Sequence, residues 1–181
     1  MAKLVSKTYG DALFAVALEK SRMDEFFEAA KAVADILRTN EDFGKLMNHP
    51  KIIKEDKVKI VEETFKKRIP DEMVGIMVLM VTKGRANEIL SVIEYFVDLV
   101  KKEKKIGQAD VTSAVELSKD QKAKVEKKLL ETTAYESFEM NYVVDESLIG
   151  GMIIRIGDRV IDSSIKSKLY NLSRELRNIQ V

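Results

Sequence analysis

The sequence predicts an α+β protein, mostly α: an N-terminal six-helix bundle over residues 1–105, then a small α+β domain over residues 106–181. Three observations predict it. Residues 70–84, PDEMVGIMVLMVTKG, read as a helix with no charged or polar side chain between positions 73 and 81, and a helix that is apolar all round must be covered all round. That run is shorter than the roughly 20 apolar residues needed to cross a bilayer, so it belongs inside a bundle. After Ile106-Gly107 the apolar period changes from helical to alternating, which marks strands. Finally, 45% of the residues are hydrophobic and 34% charged, enough for a real core under a well-solvated surface.

The elements follow in order. Residues 4–20 form the first helix, with Val5, Tyr9, Ala12, Leu13 and Val16 on one face and Leu4, Phe14 and Leu18 elsewhere, so it too is apolar on more than one side. Ser21 with Asp24 resembles a capping box opening a second helix, whose stripe is Phe26, Phe27, Ala30, Val33, Ala34 and Leu37. Asn40 starts a short third helix that stops before Pro50. The fourth spans about 54–67, with Val58, Val61 and Phe65 on one side. In the fifth, Pro70 suits the first position, Asp71 and Glu72 the positive end, and Gly84 the left-handed residue after the C-terminus. Asn87 is read as the cap of the sixth, faced by Ile89, Ile93, Phe96, Val97 and Val100. Short connections make these six helices a compact bundle.

Beyond residue 105, Val111, Ser113 and Val115 alternate as in a strand, and Ser118 to Gln121 is a second capping-box pattern. The helix it opens faces inward through Val125, Leu129 and Leu130. Phe138, Met140, Tyr142 and Val144 alternate as a half-buried strand. A turn with Gly150-Gly151 leads to a strand over 152–156, and Gly157-Asp158 suits a two-residue hairpin turn. Asp162 or Ser163 caps a last helix with the stripe Ile165, Leu169, Leu172, Leu176 and Ile179.

Charge excludes some function classes. The chain has 31 Lys+Arg against 30 Asp+Glu and a pI near 7.8, without the basicity of a nucleic-acid binder. Residues 1–105 hold 20 basic and 18 acidic side chains, and the remainder 11 and 12. The cluster at 101–105, KKEKK, reads as a solvated helix end where cations suit the dipole; a phosphate-binding patch for nucleic acid or a membrane surface is the alternative. No signal-peptide or transit pattern is read at the N-terminus, which favours a bacterial over an organellar protein.

Catalytic chemistry has little to work with. Cysteine is absent, and with it thiol nucleophiles and thiolate metal sites. His49 is the one histidine and reads as a solvent-facing or capping residue. Neither a Walker-type nor a GxGxxG loop occurs. The pairs Asp24/Glu25, Glu62/Glu63 and Asp71/Glu72 read as solvated charges, and Met73, Met77 and Met80 as core filling, with a binding groove as the other reading. The expectation is no catalytic residue, no metal and no cofactor. Two apolar faces stay open to either packing or docking: the stripe of the last helix, and a groove between the first and fifth helices that would take a partner helix.

Residues 144–164, VDESLIGGMIIRIGDRVIDSS, closely resemble the signature of the delta subunit of bacterial F-type ATP synthase, a relative of the mitochondrial oligomycin-sensitivity-conferring protein. Residues 7–14, KTYGDALF, are similar to that family's first helix, and Lys83-Gly84-Arg85 to the turn after its fifth. The resemblance covers nearly the whole chain and implies a non-catalytic stator subunit. In the family the helical domain binds N-terminal helices of alpha subunits and the smaller domain binds the ends of the peripheral b stalk, so that proton- or sodium-driven rotation is coupled to ATP synthesis. It implies Tyr9, Ala12, Leu13 and Val16 facing Ile76, Leu79, Met80 and Lys83 as the alpha-helix site, with Met73, Met77 and Val81 as the opposite face. For the stalk it implies Leu169, Leu172 and Leu176, with packing on the domain's own strands as the competing reading. It further implies a monomer in isolation, one copy per complex, at the cytoplasmic face of the bacterial membrane, with no nucleic-acid partner.

Overall fold

A computed structural model describes residues 2–49 and 51–179. The chain divides between Lys101 and Lys102 into two compact units.

Unit 1 is helical: α1 (Ala2–Glu19), α2 (Met23–Thr39), α3 (Glu41–Asn48), α4 (Lys54–Phe65), α5 (Asp71–Thr82) and α6 (Ile89–Glu103). Its core gathers Leu13, Phe26, Val33, Val61, Phe65, Met73, Met77, Met80, Ile93 and Phe96, all essentially inaccessible to solvent. Local chemistry sets several boundaries as expected. Asn40 accepts from the Phe43 backbone N–H at 3.3 Å, so one orphan donor of α3 is satisfied. After α5, the Gly84 N–H donates to Val81 and the Arg85 N–H to Met80, at 2.9 and 2.8 Å. That is a Schellman turn, and Gly84 supplies its left-handed residue at φ 72°.

Other boundaries differ. The Ser21 capping box does not form: Ser21 lies at φ 51° between helices, and Arg22 occupies the N-cap position of α2 with no side-chain cap hydrogen bond. The Arg22 guanidinium makes a two-nitrogen contact with Glu25 at 2.7 and 2.6 Å. Pro70 precedes α5 rather than opening it, at φ −52° and ψ 136°. Asn87 caps nothing; it sits inside a 3-10 turn, Ala86–Glu88, that runs directly into α6. Pro50 lies outside the described residues.

Unit 2 holds β1 (Ile106–Ser113), α7 (Lys119–Thr132), β2 (Ser137–Val144), β3 (Met152–Ile156), β4 (Arg159–Asp162) and α8 (Ile165–Ile179). The sheet order is β2-β1-β3-β4. β1 and β2 are parallel, with Ala109 opposite Met140, and the other pairs are antiparallel. A parallel pair needs a crossover, and α7 provides it. The Ser118 box forms in full: Ser118 accepts from Gln121 N–H, and the Gln121 side chain accepts from Ser118 N–H at 2.8 Å. Leu129 of α7 packs with Ala109, Phe138 and Ile156. Ile156 pairs with Arg159 across the two-residue turn at Gly157-Asp158. Val115, expected within the first strand, lies beyond its end and is exposed.

Candidate functional site

Consider first α1 and α5. Lys20 at the end of α1 pairs with Glu72 at the start of α5, while the Arg85 guanidinium, past the end of α5, stands 6.0 Å from the Tyr9 ring centroid. These two ties run in opposite sequence directions, so the helices are antiparallel. Hydrogen bonding from Lys20, with Arg22 3.9 Å away, holds the Glu72 carboxyl below its ordinary range. At about 1.5 Å rise per residue, the ties put Val16 level with Ile76, Ala12 with Met80 and Tyr9 with Lys83.

Burial then separates the faces of α5. Met73, Met77 and Val81 lie in the core, as does Val74. Leu79 is 45% exposed, Ile76 half-buried and Lys83 exposed. The open face is therefore the Ile76–Leu79–Lys83 one. Two residues of the expected set do not reach it: Leu13 and Met80 are wholly buried. On a helix turning 100° per residue both point towards the bundle axis, beneath the groove rather than along it. Tyr9 and Val16 are half-buried and Ala12 exposed, on the flank of α1 beside α5.

Gly75, the one break in the apolar run of residues 73–81, was not among the expected docking residues. It lies on the same exposed side of α5, one turn before Leu79, and a Cβ added there meets nothing within 4 Å. A mid-helix glycine costs roughly 0.5–1 kcal/mol relative to alanine, and no neighbour within the chain requires it. Its signal was a glycine interrupting an otherwise apolar run.

The second face is on α8. Leu169, Leu172 and Leu176 are 54%, 58% and 58% exposed, and Ile165 is also exposed. The alternative that this stripe packs on its own strands does not hold. The side chain of Ile179 lies outside the described residues.

What α8 does have is a firmly held root, built from the signature segment. Ser164, not Asp162 or Ser163, is the cap; its hydroxyl accepts from the Ser167 N–H at 3.2 Å. Asp162 supports it, accepting from Ser164 N–H at 2.8 Å and Ser167 hydroxyl at 2.6 Å. The Ser167 bond, then those from Ser164, hold the Asp162 carboxyl below its ordinary range. Ile165 N–H donates to Gly150 carbonyl at 2.9 Å, and Ser163 N–H to Met152 carbonyl at 3.0 Å. Gly151 has φ 78°, and a Cβ there would stand 2.5 Å from the Ser163 carbonyl oxygen, so only glycine fits. Asp145 accepts from the Ser147 N–H at 2.9 Å; hydrogen bonding from the Ser147 side chain, then from its N–H, holds the Asp145 carboxyl below the usual range as well.

Other candidates resolve plainly. His49 is exposed and its Nδ1 accepts from Lys51 N–H at 3.2 Å, a local turn contact. Gly150-Gly151 form the tight approach to α8. Among the described residues no group of three or more His, Cys, Asp or Glu is placed to hold a metal ion, and no helix is long and apolar enough to cross a membrane.

Known proteins share this arrangement. The profile of the ATP synthase delta (OSCP) subunit matches residues 5–176. An ATP synthase subunit delta of Lachnoclostridium phytofermentans is 53% identical over 181 residues, all of both chains. The corresponding protein of Brevibacillus brevis is 33% identical over 175 residues, covering 97% of this chain and 99% of its own. A chain in the cryo-EM structure of the Toxoplasma gondii mitochondrial ATP synthase hexamer has the same fold, with TM-score 0.74, 18% identity, and coverage of 94% and 96%. With the profile spanning nearly the whole chain and a full-length relative at 53% identity, the chain belongs to the ATP synthase delta (OSCP) subunit family.

Proposed function

We propose that this chain is the peripheral-stalk stator subunit of an F-type ATP synthase and that it works by adhesion, without chemistry of its own. Residues 1–105 would dock N-terminal helices of alpha subunits. Residues 106–181 would hold the ends of the b stalk, at the cytoplasmic face of the bacterial membrane. The family membership supports the role. The observation that carries the mechanism is the pair of apolar faces left uncovered: the α1–α5 flank at Tyr9, Ala12, Val16, Ile76, Leu79 and Lys83, and the leucine stripe of α8. A stator must resist torque, and resistance comes from desolvated apolar anchors rather than from rim charges. Gly75 supports the first docking face, because a residue without a side chain lets a second helix approach the backbone of α5 closely.

The test uses the full chain and a synthetic amphipathic peptide from an alpha-subunit N-terminus. Saturable binding that Leu79→Asp abolishes and Leu172→Asp leaves intact supports the alpha site. Binding insensitive to Leu79→Asp refutes it. For the stalk, co-purification of b chains with the tagged subunit from native membranes should be lost with Leu172→Asp and kept with Leu79→Asp. Salt-sensitive retention on DNA or anionic vesicles would instead favour the basic cluster at 101–105.

A further inference from the structure

Backbone angles single out one exposed residue of unit 2. Ile149 lies at φ 67° and ψ −38°, outside the three regions open to ordinary L residues. Four non-glycine residues among those described take a positive φ: Ser21, Lys67, Lys105 and Ile149. Ile149 is the β-branched one, and branching at Cβ makes such a conformation costly.

The fold explains the backbone there but not the side chain. The 3-10 turn Glu146–Leu148 closes with the Ile149 N–H donating to the Glu146 carbonyl at 3.1 Å, and it buries Leu148. Beyond it the chain must reach β3, which begins at Met152. Glycine would make that turn without strain, and glycine does stand at positions 150 and 151. Ile149 is instead 66% exposed, so burial within its own chain contributes little against the strain. Backbone strain of this kind gathers where a surface acts on something else.

Its neighbours define that surface. Ser147 Oγ accepts from Lys166 Nζ at 3.3 Å, and the Gly150 carbonyl accepts from the Ile165 N–H at 2.9 Å. These ties, one on each side of Ile149 in the chain, hold it beside the first turn of α8. A Cβ added to Gly150 would stand 2.6 Å from Ile165 Cδ1, so the Ile165 side chain lies across the residue next to Ile149. Ile149 thus carries the exposed row of Ile165, Leu169, Leu172 and Leu176 past the root of the helix. At about 100° per residue, Lys166, Lys168 and Arg177 border that row, against Glu175.

We propose, resting on the reading of α8 as the stalk-binding face, that Ile149 is the end anchor of that face, an apolar side chain held at a strained angle for the partner and not for the fold. The partner is the stalk helix, with carboxylates beside its apolar stripe to meet Lys166, Lys168 and Arg177.

Two measurements on the full chain test it: thermal unfolding of the free protein, and titration with the purified stalk part of the b chain from the same cell. Ile149→Gly should hold or raise the melting midpoint, because relief of strain offsets the added chain freedom. The same variant should weaken stalk binding about tenfold, as expected for losing one buried isoleucine. Ile149→Asn, polar but tolerant of positive φ, should weaken it as well. Ile149→Val keeps an apolar branched side chain and should lose least. Wild-type affinity in Ile149→Gly together with lost binding in Leu172→Asp overturns the role of Ile149 and leaves the stalk face standing. Wild-type affinity in both variants removes the stalk face, and Ile149 with it. A midpoint lowered by Ile149→Gly also overturns the proposal, because the side chain would then serve the fold.

Discussion

α5 and α8 are the two helices whose sequences raise the same question, and the molecule answers it oppositely. α5 is apolar on every side, yet Met73, Val74, Met77, Met80 and Val81 are taken into the core and a single edge is left at Leu79. α8 has a narrower stripe, five apolar residues among charges, and its leucines are more than half exposed. The amount of apolar surface on a helix therefore does not tell how much of it is covered. α5 sits mid-chain, with helices before and after it to close around it. α8 comes after the sheet is complete and is tied at its first turn. A helix of about 15 residues is marginal alone, so the caps at Ser164 and Asp162 carry the ordering that packing supplies to α5.

The contrast can be broken most forcefully in the cores. Met77→Ala should destabilise the chain by about 2–5 kcal/mol, whereas Leu172→Ala should change stability by under about 0.5 kcal/mol. Urea unfolding compares them, and similar costs would mean that α8 is covered in solution. Next is the root of α8. Gly151→Ala meets both a positive φ and the Ser163 carbonyl, and should cost about 1–3 kcal/mol, read as lost hydrogen-exchange protection in β3 and the first turn of α8.

Smaller still, Gly75→Ala should stabilise the free chain by roughly 0.5–1 kcal/mol, while Gly75→Leu blocks docking of the alpha peptide; thermal melts and peptide titration give the two halves. Smallest is the response to acid. Asp162 is held below its ordinary range by hydrogen bonds, so its contribution is present above the usual carboxylate range and disappears as pH falls through the lowered folded value. Amide signals of the first turn of α8 should broaden or shift there in the wild type and show no such step in Asp162→Asn, with α5 amides unaffected in both.

Local hydrogen-bond chemistry was the most legible part. The Schellman turn at Gly84, the box at Ser118 and Gln121, the Asn40 cap and the hairpin at Gly157-Asp158 involve partners a few residues apart, so neighbours in the chain specify them. Ser21 and Asn87 show the limit of such patterns. A Ser-x-x-Asp motif forms no box when the serine itself takes φ 51° in the link between α1 and α2, and a capping asparagine is absorbed when the connection tightens into a 3-10 turn. Of the docking residues, Leu79 and Ile76 were legible as apolar, but Met80 and Leu13 were equally so, and only the direction each takes from its helix axis separates them.

The sequence by itself determined the two-part α+β architecture, the order of its elements and the signature around Gly150-Gly151, because periodicity, caps and turns are written within a few residues. Tertiary structure alone decided which edge of α5 stays open and that α8 is left without cover. Those outcomes depend on which surfaces meet across the chain. Apolar burial is non-directional, so the same stripe can serve as core or as docking face until its neighbours are in place.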